Sequence, residues 1–98
     1  MKVRALFFGM LKDAAGAPEA ELELPEGATA EDAFLAAAAR WPELARHRRS
    51  TVLAVNERYA LPADILRDGD EVAFLPPVSG GQDGWLRAEE DPVGHFFA

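Results

Sequence analysis

Few residues in this chain are of types that do chemistry, and those few lack the neighbours they would need. Cysteine is absent, so there is no thiolate to attack a substrate, ligate a metal or close a disulfide. His47 and His95 are lone histidines, neither with a second ligand at metal spacing. Ser79 has no histidine arranged to take its proton and reads as a small tail residue, not a nucleophile. No acid/base pair or nucleophile constellation appears elsewhere, which argues against an independent enzyme. What stands out instead is a stretch with no reactive side chain, Pro76-Pro77-Val78-Ser79-Gly80-Gly81. The prolines stiffen its base, and the glycines leave an end with no Cβ to clash or to restrict φ. Fully extended, these six residues reach about 20 Å. Taken alone, two adjacent glycines read as a flexible linker between a domain and a tail.

The elements that must position this arm can be read from periodicity. Lys2 to Phe8 alternates loosely, with Val3, Ala5 and Phe7 on one face and Lys2, Arg4, Leu6 and Phe8 on the other, and predicts a strand. Leu11 to Ala15 suits a helical turn ended by Gly16. Glu19 to Leu24 puts Ala20, Leu22 and Leu24 on one face against Glu19, Glu21 and Glu23, a strand with one wet side. Thr29 with Asp32 three residues on predicts the start of the main helix. That helix runs to Arg40 and stops at Trp41, because Pro42 disfavours helical geometry at the residue before it. Phe34, Ala37, Ala38 and Trp41 fall on its apolar face. Arg46-His47-Arg48-Arg49 reads as a solvated basic loop. Thr51 to Val55 is apolar on both faces and is expected to be central; Asn56-Glu57-Arg58 predicts a turn, and Tyr59 to Leu61 a short return strand. Asp64 to Leu66 suits a single turn. Asp68-Gly69-Asp70 predicts a tight turn and Glu71 to Leu75 the last strand, stopped by two prolines that cannot donate to a ladder. Val72 and Phe74 share one face of that strand and Ala73 and Leu75 the other, so one apolar set lies outside a core built on a single helix.

At 98 residues the chain allows one domain, and its apolar content of 49% suits a globular protein. No apolar run is long enough to span a bilayer, and the start Met1-Lys2-Val3-Arg4 lacks the stretch of a secretory signal. A cytoplasmic protein without membrane association is expected. The net charge of −7 argues against nucleic acid as a partner. Residues 1–81 carry nine basic and thirteen acidic side chains, net −4, while residues 82–98 carry −3 on a much shorter length.

The run from Asp68 to Gly81, DGDEVAFLPPVSGG, closely resembles the C-terminus of the small, sulfur-carrying subunit family of molybdopterin synthase. The opening Val3-Arg4-Ala5-Leu6-Phe7-Phe8-Gly9 and the strand Leu53-Ala54-Val55-Asn56 are similar to the same family, so the resemblance covers residues 1–81 in order. It implies a ubiquitin-like β-grasp fold of the α+β class, a mixed sheet packed on one main helix with the first and last strands adjacent and parallel. It also implies a chemistry in which Gly81 is the attachment point. An activating enzyme using ATP adenylates the glycine carboxylate, and a sulfur donor protein converts the anhydride to a thiocarboxylate. The arm Pro76, Pro77, Val78, Ser79 and Gly80 then threads into the large synthase subunit, in a heterotetramer, and gives sulfur to a pterin precursor for dithiolene formation. The catalytic side chains are expected on that large subunit, and no cofactor is expected on this chain. Phe8, Phe74 and Leu75 are the expected partner-facing residues.

The sequence departs from the family where Gln82 to Ala98 follows Gly81, because an internal glycine has no carboxylate to adenylate. The expected division is a carrier domain over 1–81 and an extension over 82–98. The extension is either a precursor tail cut by a processing protease, the beginning of a fused large subunit, or the mark of a relative without carrier function. Trp85, Leu86, Phe96 and Phe97 are too apolar for a simple solvated linker. Carriers of the thiamin and tRNA thiolation pathways share the fold and the Gly-Gly end. A β-grasp interaction module with incidental glycines is the alternative of a different class.

Overall fold

The computed structural model describes residues 1–77. Strand β1 (Lys2–Phe7) leads through Gly9 into the short helix α1 (Met10–Ala15), which ends on Gly16 in the left-handed region. Strand β2 (Glu19–Glu23) returns antiparallel to β1, pairing Val3 with Leu22 and Ala5 with Ala20. The main helix α2 (Ala30–Arg40) follows. It starts on a full capping box, in which the Thr29 hydroxyl accepts from the Asp32 amide at 3.1 Å and the Asp32 carboxylate accepts from the Thr29 amide at 3.0 Å. Trp41 closes the helix. Pro42–Ser50 then winds into 3₁₀ turns, and β3 (Val52–Val55), β4 (Arg58–Tyr59) and β5 (Glu71–Leu75) complete a five-stranded sheet.

The strand order is β2-β1-β5-β3-β4, with β1 and β5 parallel and the other neighbours antiparallel. The first and last strands are therefore adjacent and parallel, as expected. β3 lies inside the sheet between β5 and β4, as its doubly apolar sequence suggests, and the middle strand is β5. Every residue of β5 from Val72 to Leu75 is buried, because strands flank it on both sides and side chains cover both faces.

One face of the sheet carries the main core. Val3, Ala5 and Phe7 of β1, Leu22 of β2, and Val72 and Phe74 of β5 pack under Ala30, Ala33, Phe34 and Ala37 of α2, with Leu11 of α1 and Leu44 of the 3₁₀ segment closing the edges. Alanine at the contact positions 30, 33 and 37 of α2 lets the helix approach the strands closely. Phe74 is the hub: its ring meets Phe34 edge-on at 5.3 Å and Phe7 at 5.6 Å, and Phe7 in turn meets Trp41 at 5.5 Å. Such pairs contribute about 1 kcal/mol each beyond simple burial.

Three sequence expectations need correction. The basic run 46–49 is not a loop but part of the 3₁₀ segment. Within it Arg48 is half-buried: its Nε donates to both oxygens of Glu31 at 2.8 and 3.0 Å, and its guanidinium lies 5.6 Å from the Phe34 ring. The return strand is shifted, because the turn uses only Asn56 and Glu57, both at positive φ (51° and 68°), which is the geometry of a two-residue hairpin. Asp64 to Leu66 is not a turn. The turn comes earlier, where Asp64 accepts from and donates to Leu61, and Ile65 bridges to Thr29.

Candidate functional site

The diproline segment begins where β5 ends. The Asp68–Asp70 turn that launches β5 is tied to the start of β1: Gly69 donates to the Lys2 carbonyl at 2.7 Å, and Asp68 accepts from the Lys2 amide at 2.8 Å. The neighbouring hairpin is held too, since Asn56 donates to Asp70 and accepts from the Glu71 amide. From there β5 runs in register with β1, Arg4 opposite Glu71 through Phe7 opposite Phe74. The Phe8 amide adds one more bond, to the Phe74 carbonyl at 3.2 Å. Pro76 follows at once, half-buried, and Pro77 is exposed. The diproline thus ends the ladder at a point fixed from both sides.

The expected partner residues divide. Phe74 lies in the core beneath α2 with no exposed surface, so it is corrected from a partner-facing residue to a packing one. Leu75 and Phe8 belong to the other side of the sheet; Leu75 has no exposed surface either and is likewise corrected to a packing residue, while Phe8 is half-buried. There Ala54, Ala73 and Leu75 are buried, and Leu6, Phe8, Val52 and Tyr59 pack around them. Among the described residues, α1, α2 and the 3₁₀ segment all give their buried side chains to the opposite face. The second apolar set expected from the alternation of β5 is therefore present, grouped beside the base of the arm. Val78, Ser79, Gly80 and Gly81, and the extension with Trp85, Leu86, Phe96 and Phe97, lie outside the described residues.

The rest of this second face is charged. Arg4 sits between Glu71, at 2.5 Å, and Glu19, at 3.8 Å. The Glu71 hydrogen bond and charge, and then the charge of Glu19, raise the guanidinium above its ordinary pKa. The face is thus split between a charged end at the start of β1 and an apolar end at the diproline. Tyr59 stands at the apolar end, where burial raises its phenol above the usual value. Among the described residues no group of three or more histidines or carboxylates could hold a metal ion, and no helix is long and apolar enough to cross a membrane.

Sequence reasoning passes over Gly9 and Tyr59. Gly9 has positive φ (57°), and its Cα faces the Pro76 ring. A signal is present in the Phe8-Gly9 junction, where a glycine directly follows an aromatic strand, but the contact with residue 76 depends on the parallel register. Tyr59 reads from the sequence only as a strand residue, and its place on the second face follows from pairing with Ala54.

The family model described as the ThiS family matches residues 5–81. A molybdopterin synthase sulfur carrier subunit of Chlamydomonas reinhardtii is 40% identical over 83 residues, covering 83% of this chain and all of the algal protein. The protein of the same name from Homo sapiens is 30% identical, over 82% of this chain and 94% of its own length. Among solved structures, a putative molybdopterin converting factor subunit 1 from Pyrococcus furiosus superposes with a TM-score of 0.73 at 32% identity, over 80% of this chain and 99% of that one. The shared architecture is the ubiquitin-like β-grasp.

Proposed function

The chain belongs to the ThiS family, and on that footing we propose that it carries sulfur as a thiocarboxylate on Gly81 for molybdopterin synthase. The observation that carries the proposal is the end of β5. A central strand, held by β1 and β3, hands the chain directly to Pro76-Pro77 and so to the glycine pair. The names of the relatives support the pterin pathway over thiamin or tRNA thiolation.

In this reading water first cleaves the Gly81–Gln82 peptide bond on a processing protease, releasing residues 82–98, and the freed Gly81 carboxylate attacks the α-phosphorus of ATP on an activating enzyme, expelling pyrophosphate. Sulfur delivered at the oxidation level of hydrosulfide attacks the acyl carbon of the adenylate, and AMP leaves with the anhydride oxygen. The thiocarboxylate then enters a large subunit, gives its sulfur to the pterin precursor and returns to carboxylate after taking up water. The protein's own contribution is geometric. A thin end without Cβ atoms enters a narrow channel, and a stiff base limits the entropy lost on insertion. The apolar end of the second sheet face, with Phe8 at its edge and Leu75 beneath, supplies the docking surface beside the arm. The large subunit supplies the catalytic side chains.

The test is a comparison of residues 1–98 with a chain ending at Gly81, each given activating enzyme, ATP, a sulfur source, large subunit and pterin precursor. The shorter chain is expected to gain the mass of one oxygen replaced by sulfur and to support product formation. The longer chain is expected to do neither, since Gln82 occupies the carboxylate as an amide. Equal activity from a long chain shown by mass to remain uncut would overturn the proposal.

A further inference from the structure

We propose that Gly9 is a positioning residue for the arm: by lacking a Cβ it seats the Pro76 ring and so sets the direction in which the chain leaves the sheet at Pro76. This rests on the carrier reading for its functional consequence, but its structural basis is independent of it. A Cβ built on Gly9 would lie 3.0 Å from Pro76 Cγ, 3.4 Å from its Cβ and 3.7 Å from its Cδ. The nearest of these is tighter than ordinary Cβ contacts, so the ring would have to shift. Gly16, Gly27 and Gly69 also have positive φ, yet a Cβ on any of them meets nothing within 4 Å. Those three serve the backbone alone. Gly9 serves the backbone and the arm.

The site is held on both sides. The Phe8 carbonyl accepts from the Leu11 amide and the Gly9 carbonyl from the Lys12 amide, each at 3.0 Å, which locks the turn into α1. The Phe8 amide donates to the Phe74 carbonyl, two residues before the ring that Gly9 receives. Pro76 has its φ fixed by its own ring. With φ fixed and the ring seated, little freedom remains at the root of the arm. A small rotation there is magnified along the residues that follow, and a misplacement of about 1 Å at a reacting atom costs on the order of a hundredfold in rate.

The experiment is a double-mutant cycle of Gly9→Ala and Pro76→Ala with two readouts. Pro76→Ala removes the Cγ that the new Cβ would strike, and the Cδ, leaving only the Cβ at 3.4 Å, and it leaves the left-handed strain at position 9 in place. First, a nitroxide on Ser79→Cys, the only thiol in a chain without cysteine, broadens the amides near the arm in the full-length protein. The set of broadened amides is expected to change on Gly9→Ala, and to be insensitive to Gly9→Ala once Pro76→Ala is present. Second, in chains ending at Gly81, Gly9→Ala is expected to lower the rate of thiocarboxylate formation about tenfold where Pro76 is kept, and less than about twofold in the Pro76→Ala background. The loss in melting temperature is expected to be alike in both backgrounds, because it reports the strain at φ. An unchanged broadening pattern, or an activity loss of equal size in both backgrounds, overturns the assignment. A wild-type chain ending at Gly81 that gains no sulfur overturns the carrier reading instead, and the broadening pattern still decides whether Gly9 aims the arm.

Discussion

Tyr59 is the only tyrosine in the chain, which makes its ionisation directly observable. Burial at the apolar end of the second face raises its pKa, so the folded state holds the phenol proton more tightly than the unfolded state, where the value is about 10. The stabilisation is complete below the unfolded value and is lost as pH rises through the folded one. Absorbance at alkaline pH is expected to show a midpoint above that of the denatured chain, with stability falling over the same interval; coincident midpoints would remove Tyr59 from the buried face. Its neighbours show what a sequence discloses about single residues. The alternation of β5 separates Phe74 from Leu75 correctly, since a period of two needs no partner to be visible. Which of the two faces the helix covers is not legible, because that depends on the hand of the crossover and not on the strand. Hence the sequence reading groups Phe74 with the partner-facing residues although it is the hub of the core. Gly9 is visible as a glycine, but Pro76 lies far along the chain and only the parallel register brings them together.

At the scale of elements, local chemistry is the reliable guide. Thr29 and Asp32 mark the start of α2, and both bonds of the capping box are formed. Thr29→Ala is expected to cost about 1 kcal/mol in chemical denaturation, since one first-turn amide loses its acceptor. A mutant of unchanged midpoint would show that the box contributes nothing beyond its geometry. The bridge of Thr29 to Ile65 runs through the main chain and survives the substitution. The Trp41 stop and the Gly16 cap are legible for the same reason: proline and glycine act on the backbone next to them. The 3₁₀ segment is not legible. Its nine residues present no long period, and its charges read as solvated until Glu31, on another element, is seen to hold Arg48. The hairpin after β3 is legible but falls one residue off, because neither Asn56 nor Glu57 is the glycine that usually announces left-handed positions.

At the scale of the molecule, the sheet closes with the strand that comes last among those described. β5 lies between β1 and β3, and the ion pair of Arg4 with Glu71 joins residues 67 apart in the chain. Order of pairing cannot be read from the separate strands: that β3 is interior is legible in its apolar faces, but that β5 holds the middle is not. A chain ended after Asp70 is expected to show no cooperative thermal transition by circular dichroism, since β1 and β3 would have no strand between them; a sharp transition would mean that the core survives without β5. On the ribosome the same topology sets the order in which the sheet can form. The nascent chain cannot shut its sheet until residues 71–75 have emerged, and by then the prolines are next to be released. A translation abandoned before Glu71 is therefore expected to leave an open, protease-accessible chain and not a well-folded one. The fold is finished only by the strand that leads into the diproline, so a folded chain has been translated at least as far as Leu75.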